Sequence, residues 1–468
     1  MRYRLCERYR LEGWKGRLTG VFDTLRGETF FLPDGAYRLL MRMDGLREFQ
    51  EEQMTPAERD LIRRFQKEGL IRACPGPETL EAEQKYRYYD NPYVAYAHWA
   101  ITGKCNYRCR HCYMYAPQAR FPEPDMETCR TMIRQMSRVG IHAVGLTGGE
   151  PLVRGDFLKL VDELVANDIR VHSIYTNGAL VTDCLLCELE KRGQKPRFHI
   201  SYDGERYHDW LRGIPGARKS ALQAMAVCRE HGNELYAAMC VHRKNRHEIF
   251  ETVRFLASRG VNRTRVKFML PNSLWADENA SESLDVAKAT DATIEFIEAF
   301  FAAGMPSDVV IDNMFQYDRE GKFCAVPYAQ KCRGDEYLCR KTTVTPYIGP
   351  TGVVLPCMTL GGSPFQDRFP NVLKTPLQQI LSGSYYSDVV HTTKQTFFDS
   401  HEECGDCPER DVCTTGCRAC VTEDYLAPDR WNCAFLKGGH YRRVDEAIRS
   451  AIAKYCPNVE VNYRCFTD

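Results

Sequence analysis

ITGKCNYRCRHCYMY, residues 101–115, sets three thiols on one short loop as Cys105-x3-Cys109-x2-Cys112. Three thiolates so spaced can grip three irons of a cubane and leave the fourth iron open to chelate a small molecule, the asymmetry that a cluster built for chemistry requires. A zinc knuckle is the alternative; it would want a fourth ligand close by, and His111 is available. Just upstream, AYAHWAIT (95–102) reads as a strand, so the loop follows a strand's C-terminal end. Outward to about residue 310, short apolar runs alternate with amphipathic stretches. The strands are HAVGLTG (142–148), RVHSIYTNG (170–178), RFHISYDG (197–204), YAAMCVH (236–242), RVKFML (265–270) and DVVIDN (308–313); helices fill 126–139, 157–167, 220–231 and 249–259. Such alternation predicts an α/β fold with a parallel sheet and crossover helices, which gathers functional loops at the strands' C-terminal ends.

The flanks differ. Residues 1–85 begin with strand-like stretches at Tyr3–Leu11 and Thr29–Leu32 on either side of GWKGRLTG. Helices follow: Leu39, Leu40 and Met43 recur at helical spacing, and Thr55 can cap a helix that opens on Pro56 and turns Leu61, Ile62 and Phe65 inward. This predicts a winged-helix-like unit ahead of the barrel-like region at 90–315. Residues 320–440 are rich in cysteine, glycine and proline, and 441–468 read as a helix and tail.

A chain of 468 residues, 44% hydrophobic, can build several folded units. Its formal charge of +1 offers no field for nucleic acid, and no apolar run approaches the ~20 residues of a membrane helix. The first ten residues, MRYRLCERYR, lack an export signal. These features predict a cytoplasmic protein without a nucleic-acid or membrane partner. In that compartment 22 cysteines at metal-ligand spacings read as metal sites rather than disulfides.

Cys105, Cys109 and Cys112 resemble the Cys-x3-Cys-x-aromatic-Cys loop of the radical S-adenosylmethionine (SAM) superfamily, with His111 in the aromatic position that meets the adenine. The resemblance implies a partial (β/α)6 TIM-like barrel, a SAM-binding [4Fe-4S] cluster and SAM itself. LTGGEP extends it: Gly148, Gly149, Glu150 and Pro151 match the segment that receives the methionine ammonium, where glycines admit a ligand to the main chain and a carboxylate pairs with a cation. By the same resemblance Asn177, Ser201 and Asp203 end strands at the SAM site, Arg212 pairs with the SAM carboxylate, and Val241 packs near adenine. Taken singly, a strand-end Asn or Ser is an ordinary cap, and Val241 an ordinary core valine. The implied chemistry is reductive cleavage of SAM to a 5'-deoxyadenosyl radical that abstracts a substrate hydrogen, fed by a donor such as flavodoxin or ferredoxin.

Further on, Cys339, Gly352-x4-Cys357, Cys404-x2-Cys407-x5-Cys413-x3-Cys417 and Cys433 are similar to the SPASM subgroup of that superfamily, which carries two auxiliary [4Fe-4S] clusters. The subgroup's interleaved ligation implies Cys339, Cys357 and Cys417 for one cluster, with Cys332 as the fourth ligand, and Cys404, Cys407, Cys413 and Cys433 for the other. Seven thiolates cannot fill two cubanes, so either an eighth ligates or one iron stays open. A pair of zinc sites is the simpler alternative. Cys184-x2-Cys187 reads as a helix face, and Cys324 and Cys420, near the ligands in sequence, read as bystanders, with alternate ligands as the other reading.

The N-terminal unit resembles the recognition domain of enzymes that modify ribosomally made peptides, which implies a precursor-peptide partner bound through its leader at a strand edge and helix groove; a purely structural appendage is the alternative. The reaction would then be a thioether or carbon-carbon cross-link, with epimerisation or a single-residue oxidation like that of anaerobic sulfatase maturases as alternatives. A non-catalytic electron carrier or zinc-stabilised module is the reading from another class. Asp312 is the candidate proton acceptor by position. At LPNSLW (270–275) the chain departs from the family's late-barrel motif.

Overall fold

The computed structural model describes residues 1–269, 273–319, 323–325, 332–421, 423–457 and 462–464. Seven parallel strands lie side by side in chain order: β1 (Ala97–Ala100), β2 (Ala143–Thr147), β3 (Arg170–Thr176), β4 (Arg197–Ser201), β5 (Leu235–Val241), β6 (Arg263–Phe268) and β7 (Asp308–Ile311). The crossovers contain α1 (Met126–Arg138), α2 (Phe157–Ala166), α3 (Asp183–Lys191), α4 (Ala217–Glu230), α5 (Ile249–Ser258) and α6 (Val286–Ala302). This is the expected partial (β/α)6 barrel. Asp125 caps α1 at the expected start, α4 opens three residues ahead of the expected 220, and Thr182 and Asp285 cap α3 and α6, two helices that the sequence reading did not list.

Strand alternation sorts side chains into two environments. Ile174, Phe198, Ile200 and Ala237 pack outward against helix residues such as Leu160, Ala221 and Met225. Met239, Val241, Val266 and Phe268 do the same with Ile249, Val253 and Phe296. The opposite faces, carrying His98, Tyr175, His199, Tyr236, Arg265 and Lys267, look into the barrel. The side chain of Arg265 keeps 60% of its accessible surface in this position, so the interior is an open, wettable space.

A barrel of seven strands leaves β1 with a free edge. The hairpin Tyr347–Ile348/Val354–Leu355 from the cysteine-rich region covers it, pairing parallel to β1 with Tyr347 opposite His98 and Ile348 opposite Trp99. On the far side the sheet continues antiparallel from β7 into Phe315–Asp318. The C-terminal helix His440–Tyr455 packs Val444, Ile448 and Ala451 into the apolar cluster that holds Phe296 and Phe300 of α6.

The N-terminal unit holds more strands than its sequence suggests. A three-stranded sheet runs Asp44–Glu48, Arg2–Leu5, Ile71–Cys74. A four-stranded sheet runs Glu28–Phe31, Arg17–Asp23, Tyr9–Lys15, Arg87–Pro92. GWKGRLTG is therefore a hairpin turning at Gly16, whose φ of +79° suits glycine, and the sheet reaches past residue 85. Thr55 caps Pro56–Lys67 in a full capping box with Glu58. The unit is fastened to the barrel through buried groups: Glu12 accepts from Tyr89 Oη at 3.2 Å and faces His142 Nε2 at 2.7 Å, and Trp14 Nε1 donates to Val139 O.

Candidate functional site

The cysteine loop is clamped between two glycine-bearing turns. On one side Gly149 N donates to Thr102 O and Glu150 N to Lys104 O. A Cβ at Gly148 would stand 2.3 Å from Thr102 O, and one at Gly149 2.2 Å from Lys104 O. These glycines thus admit the backbone of the cysteine loop itself, a reason beyond the ligand approach expected from sequence. On the other side Arg108 N and Arg110 N donate to Arg212 O and Leu211 O, and a Cβ at Gly213 would meet Arg108 O at 2.3 Å. Trp210 and Leu211 had no assigned part; their role is to anchor this loop through backbone atoms.

Each sulfur has a donor directed at it. Tyr107 N approaches Cys105 Sγ at 3.3 Å, Ala116 N approaches Cys112 Sγ at 3.4 Å, and Arg212 Nη1 lies 4.0 Å from Cys109 Sγ. Burial pushes the free thiols up, Cys105 to about 12 and Cys109 to about 11, so holding them as thiolates calls for a bound cation. Around one zinc ion, thiolates stand about 3.8 Å apart. Among the described residues, the only three potential ligand atoms all within 4.8 Å of one another belong to Asp183, Cys187 and His231, on the barrel's outside. The wider cysteine sets suit a cluster, in which each sulfur takes a different iron.

Glu150 is 1% exposed, and its carboxylate accepts from Thr176 Oγ1 (2.8 Å), Asn177 N (2.8 Å) and Leu152 N (3.2 Å). Burial outweighs these bonds and raises its pKa to about 7. No ion pair is made by this carboxylate among the described residues, and an ammonium group is the complement that it lacks. Asn177 ties the same corner to the cysteine loop through Nδ2 to Asn106 Oδ1 at 2.8 Å. Pro151 is buried and opens the turn Pro151–Val153, and Ser201 ends β4 on its inward face.

Arg212 differs from expectation. Its guanidinium is held bidentately by the fully buried Asp203, Nε–Oδ2 at 2.7 Å and Nη2–Oδ1 at 3.1 Å. Asp203 Oδ1 also accepts from Cys240 N at 2.9 Å. Despite its burial, Asp203 is held well below the usual carboxylate range by Arg212 and His208. The pair carries a guanidinium to Cys109 rather than leaving it free for a carboxylate. His111 lies half-buried among Arg212, Asp203, His242 and His208; desolvation, then Arg212, lower its pKa to about 3, and its buried Nδ1 has no partner. The neutral ring leaves one polar atom for a ligand. Val241 is a correction: it points away from the site into the sheet-helix core with Ile249 and Val253, while its neighbour Cys240 faces inward.

In the C-terminal region, Cys339, Cys357 and Cys417 lie together beside Arg265. Cys404, Cys413 and Cys433 form a second group, with Cys407 near Cys404. Cys332 departs from its expected place, since it neighbours Cys413 and packs with Cys404 against Leu338, Phe397 and Phe398. Asp312 is engaged by Arg265 bidentately, Nε–Oδ1 at 2.7 Å and Nη2–Oδ2 at 3.0 Å; both oxygens face a cation, which suits an anchor better than a proton acceptor. Lys267, missed in the sequence, adds a second cation on the same strand beside Cys417; its signal was period-2 alternation of charge through Arg263, Arg265 and Lys267. Leu270–Asn272, the side chain of Cys324 and Cys465 lie outside the described residues.

With this geometry in hand, comparison with known proteins is specific. Residues 99–256 match the family model described as the radical SAM superfamily. The chain is 29% identical over 224 residues to the pre-heme d1 synthase of Dinoroseobacter shibae, a span of 46% of this chain and 54% of that protein, so it covers about half of that relative's length. It is 26% identical over 336 residues to the mycofactocin maturase MftC of Mycobacterium tuberculosis, covering 69% of this chain and 77% of MftC. In fold it is similar to Streptococcus suis SuiB, solved bound to precursor peptide SuiA, with a TM-score of 0.57 and 14% identity over 89% of this chain and 96% of SuiB. No helix among the described residues is long and apolar enough to cross a membrane. Residues 99–256, which carry the thiol loop after the first strand and the Gly-Gly-Glu turn one helix later, are thus the part of the chain that is similar to the radical SAM superfamily.

Proposed function

We propose that the protein is a radical SAM enzyme that oxidatively modifies a ribosomally made precursor peptide. Cys105, Cys109 and Cys112 would hold the SAM-binding cluster, Glu150 the methionine ammonium, and the two C-terminal cysteine groups the auxiliary clusters. The observation that carries the reading is the buried Glu150 carboxylate, in want of a cation, one loop away from three half-buried thiols. With a [4Fe-4S] cluster held there, Cys105, Cys109 and Cys112 would give the site the one-electron chemistry that cleaves SAM reductively and starts hydrogen-atom abstraction from substrate. The chain's own residues do the rest. Arg212 offsets charge at Cys109, and Asp203 keeps Arg212 in place.

A peptide substrate is supported by the N-terminal two-sheet unit and by the likeness to SuiB, itself solved with a precursor peptide. A cross-link, thioether or carbon-carbon, is the favoured product, with flavodoxin or ferredoxin as electron donor. A heme-type substrate is the second reading, favoured by the name of the pre-heme d1 synthase relative and by the cations Arg265 and Lys267 in the barrel. The test is anaerobic turnover of reduced, reconstituted protein with SAM, alone and with a short peptide encoded beside it. Release of 5'-deoxyadenosine that Cys105→Ala abolishes, with mass loss from the peptide, is expected; no 5'-deoxyadenosine under any condition would overturn the proposal. Turnover with an iron tetrapyrrole and none with peptide would favour the second reading.

A further inference from the structure

We propose that Asp183, Cys187 and His231 bind a zinc ion on the outside of the barrel, with Glu190 orienting the histidine, and that the ion staples α3 to the end of α4. Nothing in this site draws on the SAM loop or on the C-terminal thiols. Asp183, Cys187 and Glu190 stand at i, i+4 and i+7 of α3 and so share one stripe of the helix. His231, which closes α4, lies against that stripe with both ring nitrogens engaged: Nε2 stands 2.8 Å from Asp183 Oδ1, and Nδ1 3.0 Å from Glu190 Oε1. The second Asp183 oxygen is 3.9 Å from Cys187 Sγ. One ligand atom from each of Asp183, Cys187 and His231 thus lies within 4.8 Å of the other two.

Cys184-x2-Cys187 has no partner pair near it in sequence, because the residue that completes this set ends the next crossover helix. An ion pair accounts for the two carboxylates about His231, but not for a thiol on the same stripe at ligand distance. Thiolate, imidazole and carboxylate together are a zinc donor set, whereas magnesium and calcium take oxygen. Around one tetrahedral zinc such atoms stand about 3.3–3.6 Å apart, so Asp183 must back away from His231 by about half an ångström and approach Cys187 by somewhat less. The Asp183 side chain, 80% exposed, has room for that shift, while the His231 ring, 12% exposed, is held in place. With Nδ1–H donating to Glu190, Nε2 is left as the metal ligand and made more basic. Binding takes the proton from the Cys187 thiol and leaves a fourth position for water. The ion would join the crossovers that follow β3 and β4, the strands whose ends carry Asn177 and Ser201.

The test uses full-length protein reconstituted anaerobically, so that the cluster cysteines already hold iron, then given zinc and desalted. Zinc and iron per chain, zinc K-edge X-ray absorption and the unfolding midpoint are measured for the wild type, Cys187→Ala, His231→Gln and Glu190→Gln. Iron content should be the same in all four. The wild type should retain one more zinc per chain than Cys187→Ala or His231→Gln, and that zinc should show a single sulfur among nitrogen and oxygen neighbours. Its unfolding midpoint should rise with added zinc where theirs do not. Glu190→Gln should bind zinc about 10- to 100-fold more weakly. Should His231→Gln prove unstable, Cys187→Ala, which removes only a half-exposed thiol, decides. Equal zinc in the wild type and Cys187→Ala overturns the proposal and leaves a surface ion-pair network. A shell made of sulfur alone overturns it as well, since the metal would then sit on the cluster thiols.

Discussion

Replacing Glu150 by Gln tests the SAM site through its pH dependence. The carboxylate is buried and its pKa stands at about 7, against an ordinary 4.5; keeping it ionised costs about 3 kcal/mol relative to water. An ammonium ligand requires the ionised form, so SAM affinity should fall as the carboxylate takes up a proton below pH 7. Between pH 8 and pH 6 the ionised fraction drops about tenfold, and the dissociation constant should rise by the same factor. Glu150→Gln, nearly isosteric and uncharged, should weaken SAM at pH 8 by about thirtyfold or more, the effect of leaving a desolvated charge unpaired, and should flatten this acid limb. Stability of the SAM-free protein should move the other way. A carboxyl whose pKa is raised by folding binds a proton that the unfolded chain releases, so stability declines as pH rises from about 4.5 to about 7 and then levels off. The variant should lack that decline, less the cost of turning an amide N–H toward Asn177 N. Equilibrium binding of SAM to anaerobically reconstituted wild type and variant from pH 6 to pH 8 is the assay. An affinity that stays level across that range in the wild type, or a variant binding within threefold of it at pH 8, would refute the role given to Glu150.

Gly149→Ala should drive a Cβ into Lys104 O, where only backbone can yield, and release the cysteine loop; iron should fall by about one four-iron cluster of three, with 5'-deoxyadenosine formation lost. Arg212→Gln leaves the fully buried Asp203 without its cation, which should cost about 3–5 kcal/mol and lower the unfolding midpoint; double replacement with Asp203→Asn should recover part of the loss. Glu12→Ala removes the acceptor of Tyr89 and the partner of His142 at the seam between the N-terminal unit and the barrel. A loss of about 1–3 kcal/mol, with faster proteolysis near residue 90 and iron content unchanged, is the expected outcome.

Which of these features could be read from sequence follows from the range of the forces behind them. Cys105, Cys109 and Cys112, the Gly148-Gly149-Glu150 turn and the seven strands are local patterns: ligand spacing on one loop, and apolar runs whose length and flanks declare a buried parallel strand. The N-terminal hairpin was hidden because GWKGRLTG carries three glycines, and glycines mark loops unless a partner strand is known; here that partner arrives from Arg87–Pro92, far along the chain. Val241 was misplaced by one position, which in a strand is enough to exchange the interior for the helix layer. Arg212 was read as a ligand for SAM from the family resemblance, and only the fold shows that Asp203, nine residues earlier, occupies its guanidinium. Cys332 is the extreme case: its place just before Cys339 made it the expected fourth ligand of that group, whereas Asp411 O holds its backbone two residues from Cys413. A thiol's chemistry is legible in one letter, whereas its address is decided by residues that have no metal-binding character at all.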